Sequence, residues 1–139
     1  MIEYTSSLED ITAEMLHGFF VDWSNPPSRE SHLRLLKGSY IVWLAIDKHS
    51  KNVIGFITAI SDGVLSAYIP LLEVLPKYQN KGIGKELVTR MLDSLKHLYM
   101  VDLLCDRHLQ KYYSKFGMAS ATGAALRNYK RQDCVSFEI

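Results

Sequence analysis

The stretch Val74-Leu75-Pro76-Lys77-Tyr78-Gln79-Asn80-Lys81-Gly82-Ile83-Gly84-Lys85-Glu86-Leu87 decides how this chain is read. It joins the end of an apolar, strand-like run to the start of an amphipathic helix. From Gly82 onward, Ile83, Leu87, Val88, Met91, Leu92, Leu95 and Leu98 fall on one apolar stripe. Lys85, Glu86, Arg90, Asp93 and Lys96 lie largely outside it, and Glu86 with Arg90 is an i,i+4 pair of the favourable order. A helix start presents unpaired N–H groups and the positive end of the helix dipole, which suits an anion such as a pyrophosphate. Gly82 and Gly84 let an anion approach the backbone closely, and Lys81 adds positive charge beside them. An ordinary helix start is the plainer alternative.

Two known phosphate motifs fail on this stretch. A P-loop would need glycine where Gln79 stands, and Ser or Thr where Glu86 follows Lys85. A dinucleotide-binding fingerprint needs a third glycine where Leu87 stands, and its glycines directly follow a strand. Asp102 lies near the offset of a ribose-binding acid, but hairpins ahead of the helix argue against a doubly wound domain.

Those hairpins are residues 40–46, 53–60 and 64–75, three runs rich in β-branched and aromatic residues. A polar turn at 47–52 joins the first two, and Ser61-Asp62-Gly63 joins the next. Pro70 cannot donate to a ladder, so the third run needs a bulge, a break or an exposed position there. Beyond the long helix come a short strand at 100–105 and a helix at 109–116 ended by Gly117. The tail predicts two more strands, 135–139 the better of them. Ahead of the hairpins stand a weak strand at 2–5 and a helix capped by Ser7, with Leu8, Ile11, Met15, Leu16 and Phe19 as its stripe. Asn25-Pro26-Pro27 breaks it, and Ser28 caps a second helix over 29–37, ended by Gly38. Antiparallel hairpins followed by a βαβ-like unit predict a mixed α/β sheet, α+β in character.

Composition bounds the rest. The 139 residues are 47% hydrophobic and 22% charged, with net charge +1, as expected of one globular domain over 1–139. The longest apolar run, 40–46, is far short of the roughly 20 residues of a membrane span, and Met1-Ile2-Glu3-Tyr4 lacks a basic leader. Cys105 and Cys134 make neither a disulfide framework nor a ligand set, and read as free thiols in a reducing cytoplasm. Five histidines, His17, His32, His49, His97 and His108, show no metal spacing, so no metal is expected. They read as surface or helix-face residues. Residues 1–28 hold five acids and no Lys or Arg, which would suit a cationic partner. No basic stripe interleaved with aromatics suggests nucleic acid.

The glycine segment resembles the acetyl-CoA signature of the GNAT N-acetyltransferase superfamily: Gln or Arg, two variable residues, Gly, one variable residue, then Gly or Ala. A second segment, Tyr112-Tyr113-Ser114-Lys115-Phe116-Gly117-Met118, resembles the family's aromatic-Tyr-x-x-x-Gly-aromatic run, with Met118 in place of the usual aromatic. The resemblance covers about 40–118 well. It implies a central mixed, largely antiparallel sheet that splits into a V, flanked by helices. It implies acetyl-CoA as co-substrate and a primary amine as acceptor, a small molecule first. A protein lysine or N-terminal amine, or a CoA-binding regulatory module without turnover, are the alternatives.

Residue by residue, the resemblance implies that Gln79, Asn80, Lys81, Gly82, Ile83 and Gly84 hold the pyrophosphate through backbone N–H groups. Main-chain groups of Val74 and Leu75 would hold the pantetheine arm. Tyr113 would protonate the departing thiolate, since a phenol near pKa 10 keeps its proton at neutral pH; a packing role is the alternative. Tyr112 reads as core. Asp106 stands where many members carry a cofactor-contacting Asn, and it would equally cap a helix. The general base is Glu73, in the apolar run Leu71-Leu72-Glu73-Val74-Leu75, or else a water chain. Phe20 and Trp23 fall where the family builds its acceptor wall, with Phe19 in the core. Small members often dimerise through sheet edges or the tail, so a homodimer is among the implied assemblies.

Overall fold

A computed structural model describes residues 1–135. Five strands form one sheet in the order β1-β2-β3-β4-β5: Ile2–Thr5, Ile41–Asp47, Val53–Ser61, Ser66–Val74 and Met100–Asp102. Neighbours pair antiparallel except β4 with β5, which run parallel and pair only over Ser66–Tyr68 with Met100–Asp102. Three helices accompany them: α1 (Arg29–Gly38), α2 (Ile83–Ser94) and a short α3 (Gln110–Ser114).

The sheet is covered on both faces. Val53 to Ala59 of β3 are all buried, the mark of a central strand between two layers. On one face the α2 stripe of Ile83, Leu87, Val88 and Met91 packs with Ala45, Ile57, Ala59 and Ile69. Arg90 adds a second attachment: its guanidinium lies 4.8 Å from the Tyr4 ring and 5.1 Å from Trp43, and Glu86 Oε1 accepts its Nε–H at 2.8 Å. On the other face α1 and the segment before it bury Leu16, Phe20 and Leu36 against Val42, Leu44 and Phe56.

The proline in β4 is accommodated by a bulge. Thr58 faces Leu71 and Ile60 faces Tyr68, so Ile69 and Pro70 together oppose Ala59. Beyond this bulge β4 and β5 no longer pair, and the sheet opens into a V. The turn ahead of β4 is built by Asp62, whose Oδ1 accepts the N–H groups of Val64, Leu65 and Ser66 at 2.8, 2.9 and 3.3 Å.

Two expectations fail. The first helix does not form: over 6–28 the described structure holds only a 3-10 turn, Ala13–Met15. Its stripe is nonetheless packed, with Ile11 and Leu16 buried. Thr5 Oγ1 accepts the Ser7 N–H at 3.1 Å and Ser7 Oγ that of Glu9 at 3.2 Å. Such local bonds offer the backbone an alternative to helix, and tertiary burial then holds the irregular path. Likewise 118–128 is irregular, because its run of Ala, Ser, Thr and Gly has little apolar area to bury in a ladder. The better tail strand, 135–139, lies outside the described residues save Val135, which is not in a strand. Smaller differences are the helical Gly38, with Ser39 as cap, and β5 ending at Asp102.

Candidate active site

The opening of the V makes a cleft of about 510 Å³ between Ile69, Pro70 and Leu72 of β4 and Leu104 to Asp106 after β5. Backbone groups of β4 line it in alternation. The Leu75 N–H donates to Ile54 O at 2.9 Å, and Val74 is the next residue in the ladder, opposite Gly55. In an antiparallel pair the adjacent residues then turn their N–H and C=O outward, so those of Val74 and Leu72 point away from β3, and Leu72 lines the cleft. Leu75 differs from its expected role: its C=O accepts from the Tyr78 N–H at 2.8 Å, so both of its main-chain groups are committed. The Val74 C=O accepts from Gln79 Nε2 at 2.9 Å, which ties the glycine segment to the strand.

Past the end of β4, after the 3-10 turn Pro76–Tyr78, α2 begins. Asn80 and Gly82 adopt left-handed backbone, φ 64° and 84°, and Gly82 serves as N-cap without a side chain. The first intrahelical bond is Glu86 N–H to Gly82 O at 3.1 Å. The N–H groups of Gly82, Ile83, Gly84 and Lys85 therefore have no acceptor among the described residues. A side chain at Gly82 would meet nothing within 4 Å, so the space before these donors is open. The residues present fit a pyrophosphate. Lys81 lies 5.6 Å and Lys77 5.9 Å from the Tyr78 ring centroid. Tyr78 donates its hydroxyl to Asp47 Oδ2 at 2.7 Å, a bond that lowers the Asp47 pKa and raises that of Tyr78.

Tyr113 lines the same cleft, half-buried, and its hydroxyl has no hydrogen-bond partner among the described residues. Burial, with smaller contributions from Tyr112 and Cys105, pushes its pKa up to about 12. The phenol thus keeps its proton across the working range. The Tyr112 ring meets Tyr113 edge to face at 5.1 Å, and its hydroxyl lies 3.7 Å from where a Cβ on Gly84 would be. Tyr112 therefore reaches the glycine segment, which its reading as core missed. Asp106 borders the cleft as N-cap of a 3-10 turn, Arg107–Leu109, through its C=O, which accepts from the Leu109 N–H at 2.9 Å; its carboxylate makes no cap bond.

The loop at 18–28, which holds Phe20 and Trp23 of the expected acceptor wall, is fixed from two directions. Glu73 Oε1 accepts the Phe20 N–H at 2.9 Å and Oε2 accepts that of Val21 at 3.2 Å. Gln132 Oε1 accepts the Asn25 N–H at 2.9 Å. These bonds hold a path that Phe20 and Asp22 take with positive φ, 61° and 68°. Phe20 is only 4% exposed and Phe19 half-buried, so Phe19, read as core, is the more open of the two. The Trp23 ring lies tilted against Phe20, centroids 4.8 Å apart at 56°, and keeps 40% of its surface exposed.

His32 also departs from the sequence reading. It is 1% exposed, ringed by Phe19, Phe20 and Phe56 at 5.3, 4.9 and 4.4 Å, and both ring nitrogens lack partners. Burial lowers its pKa to about 4, so it is neutral at neutral pH. Its spacing to Leu36 on α1 was a usable signal for this burial. Gln132, 107 residues from Asn25, had none. Between this loop and α1 lies a second cleft, of about 460 Å³, with Phe20 in its lining and none of the five acids of residues 1–28. The charge count of the first 28 residues therefore does not mark this cleft as cationic-selective.

Among the described residues no group of three or more His, Cys, Asp or Glu is placed to hold a metal, and no helix is long and apolar enough to cross a membrane. The sheet is mixed and opens between β4 and β5, and open N–H donors begin the helix that follows β4. The chain belongs to the GNAT acetyltransferases: the model of the Acetyltransferase (GNAT) family matches residues 8–118. It is similar to a proposed acetyltransferase from Deinococcus radiodurans R1, at 42% identity over 94% of this chain and 91% of that one, with a TM-score of 0.91. It is also similar to a GNAT family acetyltransferase from Streptococcus pneumoniae TIGR4, at 30% identity over 92% and 98%, with a TM-score of 0.73. No curated protein matches the chain.

Proposed function

We propose that the chain transfers an acetyl group from acetyl-CoA to the primary amine of a small molecule. The observation that supports this most is the row of unpartnered N–H groups from Gly82 to Lys85 at the start of α2, shortly after β4. The diphosphate of acetyl-CoA would sit on these donors, with Asn80 and Lys81 beside them. The pantetheine arm would run along the outward main-chain groups of Leu72 and Val74, which brings the thioester beside Tyr113.

In this reading the neutral amine nitrogen attacks the thioester carbonyl carbon. A C–N bond forms, the C–S bond breaks, and the surplus proton on nitrogen passes to a base. The leaving sulfur takes the proton of the Tyr113 hydroxyl, which burial keeps in place. Glu73 serves as base directly or through water. Each of its oxygens already accepts one N–H, and a carboxylate oxygen has a second lone pair free for the amine or water. The same two bonds make it the anchor of the acceptor loop.

A thiol-release assay with acetyl-CoA across a panel of amines, beside calorimetric titration of acetyl-CoA, tests the reading. Expected are saturable acetyl-CoA binding and thiol release on one class of small amine, reduced tenfold or more in Tyr113→Phe. Release only on peptides would favour a protein acceptor. Binding without release on any acceptor would favour a regulatory module, and no binding would overturn the role of the glycine segment.

A further inference from the structure

The start of α1 resembles the start of α2 in one respect. Ser28 Oγ accepts the Ser31 N–H at 3.1 Å and Ser28 O accepts that of His32 at 2.8 Å, while the N–H groups of Arg29 and Glu30 have no acceptor among the described residues. These groups border the 460 Å³ cleft between the acceptor loop and α1. An open helix end alone marks no site. Here it meets a second feature: His32, one turn on, lines the same cleft with both ring nitrogens unpartnered and 1% of its surface exposed. Packing alone gains nothing from an imidazole whose hydrogen bonds are unmade; a phenyl ring would serve the Phe19, Phe20 and Phe56 cluster better. The Arg29 guanidinium, on the rim, has no ion-pair partner among the described residues. Glu30 is the one acid on the lining. The cleft shares Phe20 with the Glu73 anchor, since the Phe20 N–H lies 2.9 Å from Glu73 Oε1.

We propose that this cleft is an acceptor subsite for an anionic group, so that the acceptor is a primary amine that also carries a carboxylate or a phosphate. The proposal rests on the acetyl-transfer reading for its substrate but not for its binding chemistry. The anion sits on the Arg29 and Glu30 N–H groups at the positive end of α1, Arg29 supplies charge, and a ring N–H of the neutral His32 supplies a hydrogen bond from the buried side. The amine then points toward the loop anchored on Glu73.

The test titrates ethanolamine, O-phosphoethanolamine, β-alanine and inorganic phosphate into the full chain with acetyl-CoA absent. Binding is read by calorimetry and by the NMR signals of the His32 ring, and thiol release is followed separately. Expected is saturable binding of O-phosphoethanolamine or β-alanine at least tenfold tighter than ethanolamine, with shifted His32 signals. Arg29→Ala, on the exposed rim, and His32→Phe, a ring-for-ring exchange, each remove that preference and leave ethanolamine unchanged. Preference for β-alanine over the phosphate compound assigns a carboxylate, and the reverse assigns a phosphate. No saturable shift of His32 with any of the anions, or equal losses for ethanolamine in both variants, overturns the subsite. His32 shifts without thiol release from any amine would leave the anion site standing and overturn acetyl transfer to these acceptors. Thiol release with ethanolamine at the efficiency of the anionic amines, and no His32 shift, would do the reverse.

Discussion

The loop that opens α2 and the loop that precedes α1 hold their backbone in opposite ways. At 82–85 four N–H groups are left open beside a glycine with free space before it. Over 20–25 the N–H groups of Phe20, Val21 and Asn25 are taken by side chains from β4 and the tail, Glu73 and Gln132. Open donors make a seat for an anion; occupied donors make a wall. The first loop is built from residues adjacent in sequence, the second from residues 50 and more apart, and the two should respond to different substitutions.

The largest difference is expected at Gly84. A Cβ there meets only Tyr112 Oη at 3.7 Å and Val74 Cγ2 at 3.8 Å, ordinary contacts. Gly84→Glu adds a carboxylate in the first turn of α2, which favours the helix but competes with a phosphate for its donors. Thermal stability should hold or rise while acetyl-CoA affinity falls about 1,000-fold, the loss of about two charge-assisted hydrogen bonds. Calorimetry beside a melting curve reads both, and retained affinity would remove the α2 start as the diphosphate seat.

Next is Glu73→Gln. The amide puts a donor against a backbone N–H and removes the charge that holds the acceptor loop. Acetyl-CoA affinity should stay within about twofold while kcat falls about 100-fold. The pH profile separates the two roles of Glu73. A surviving acidic limb leaves Glu73 as an anchor; its disappearance makes Glu73 the base. Weakened acetyl-CoA binding would show that the two loops are coupled rather than independent.

His32 gives the third test, through stability. Its folded pKa of about 4 lies below the ordinary 6.5, so the unfolded chain takes up the proton first as pH falls. The contribution is full above 6.5 and is lost as pH drops toward 4, about 2 kcal/mol of it between pH 7.5 and 5. Denaturant titrations at the two pH values read this. His32→Phe should flatten the difference by that amount, and an unchanged slope would place the imidazole in water rather than in the ring of phenylalanines.

The same contrast explains what the sequence disclosed. The α2 stripe, the hairpins and the glycine segment are local patterns; their period and spacing were sufficient to read a mixed sheet and a helix start suited to an anion, while the split of the sheet was implied by the family resemblance. Pro70 called for a bulge, a break or an exposed position, and a bulge is what forms. The loop ahead of α1 was opaque because its order is long-range. Leu8, Ile11 and Leu16 had helical spacing, yet they pack from an irregular chain held by short side-chain bonds. Phe20 is buried more deeply than Phe19 on a path of positive φ whose N–H is held by Glu73 of β4, 53 residues away. Nothing near Leu75 signals that its N–H is spent on Ile54.

The smallest effect separates the two anchors of the acceptor loop. Gln132 Oε1 takes the Asn25 N–H at 2.9 Å and lies 3.4 Å from Ser24 Oγ, and all but Gln132 itself are exposed. Gln132→Ala lets water replace the lost acceptor, so stability should change by no more than about 1 kcal/mol. The loop should nonetheless loosen where it turns into Pro26 and α1, raising the acceptor KM about threefold with kcat and acetyl-CoA affinity unchanged, because Glu73 still holds Phe20 and Val21. Steady-state kinetics with acceptor and acetyl-CoA varied in turn measure this. A loss in kcat comparable with that of Glu73→Gln would mean that the tail, and not β4, sets the position of the wall.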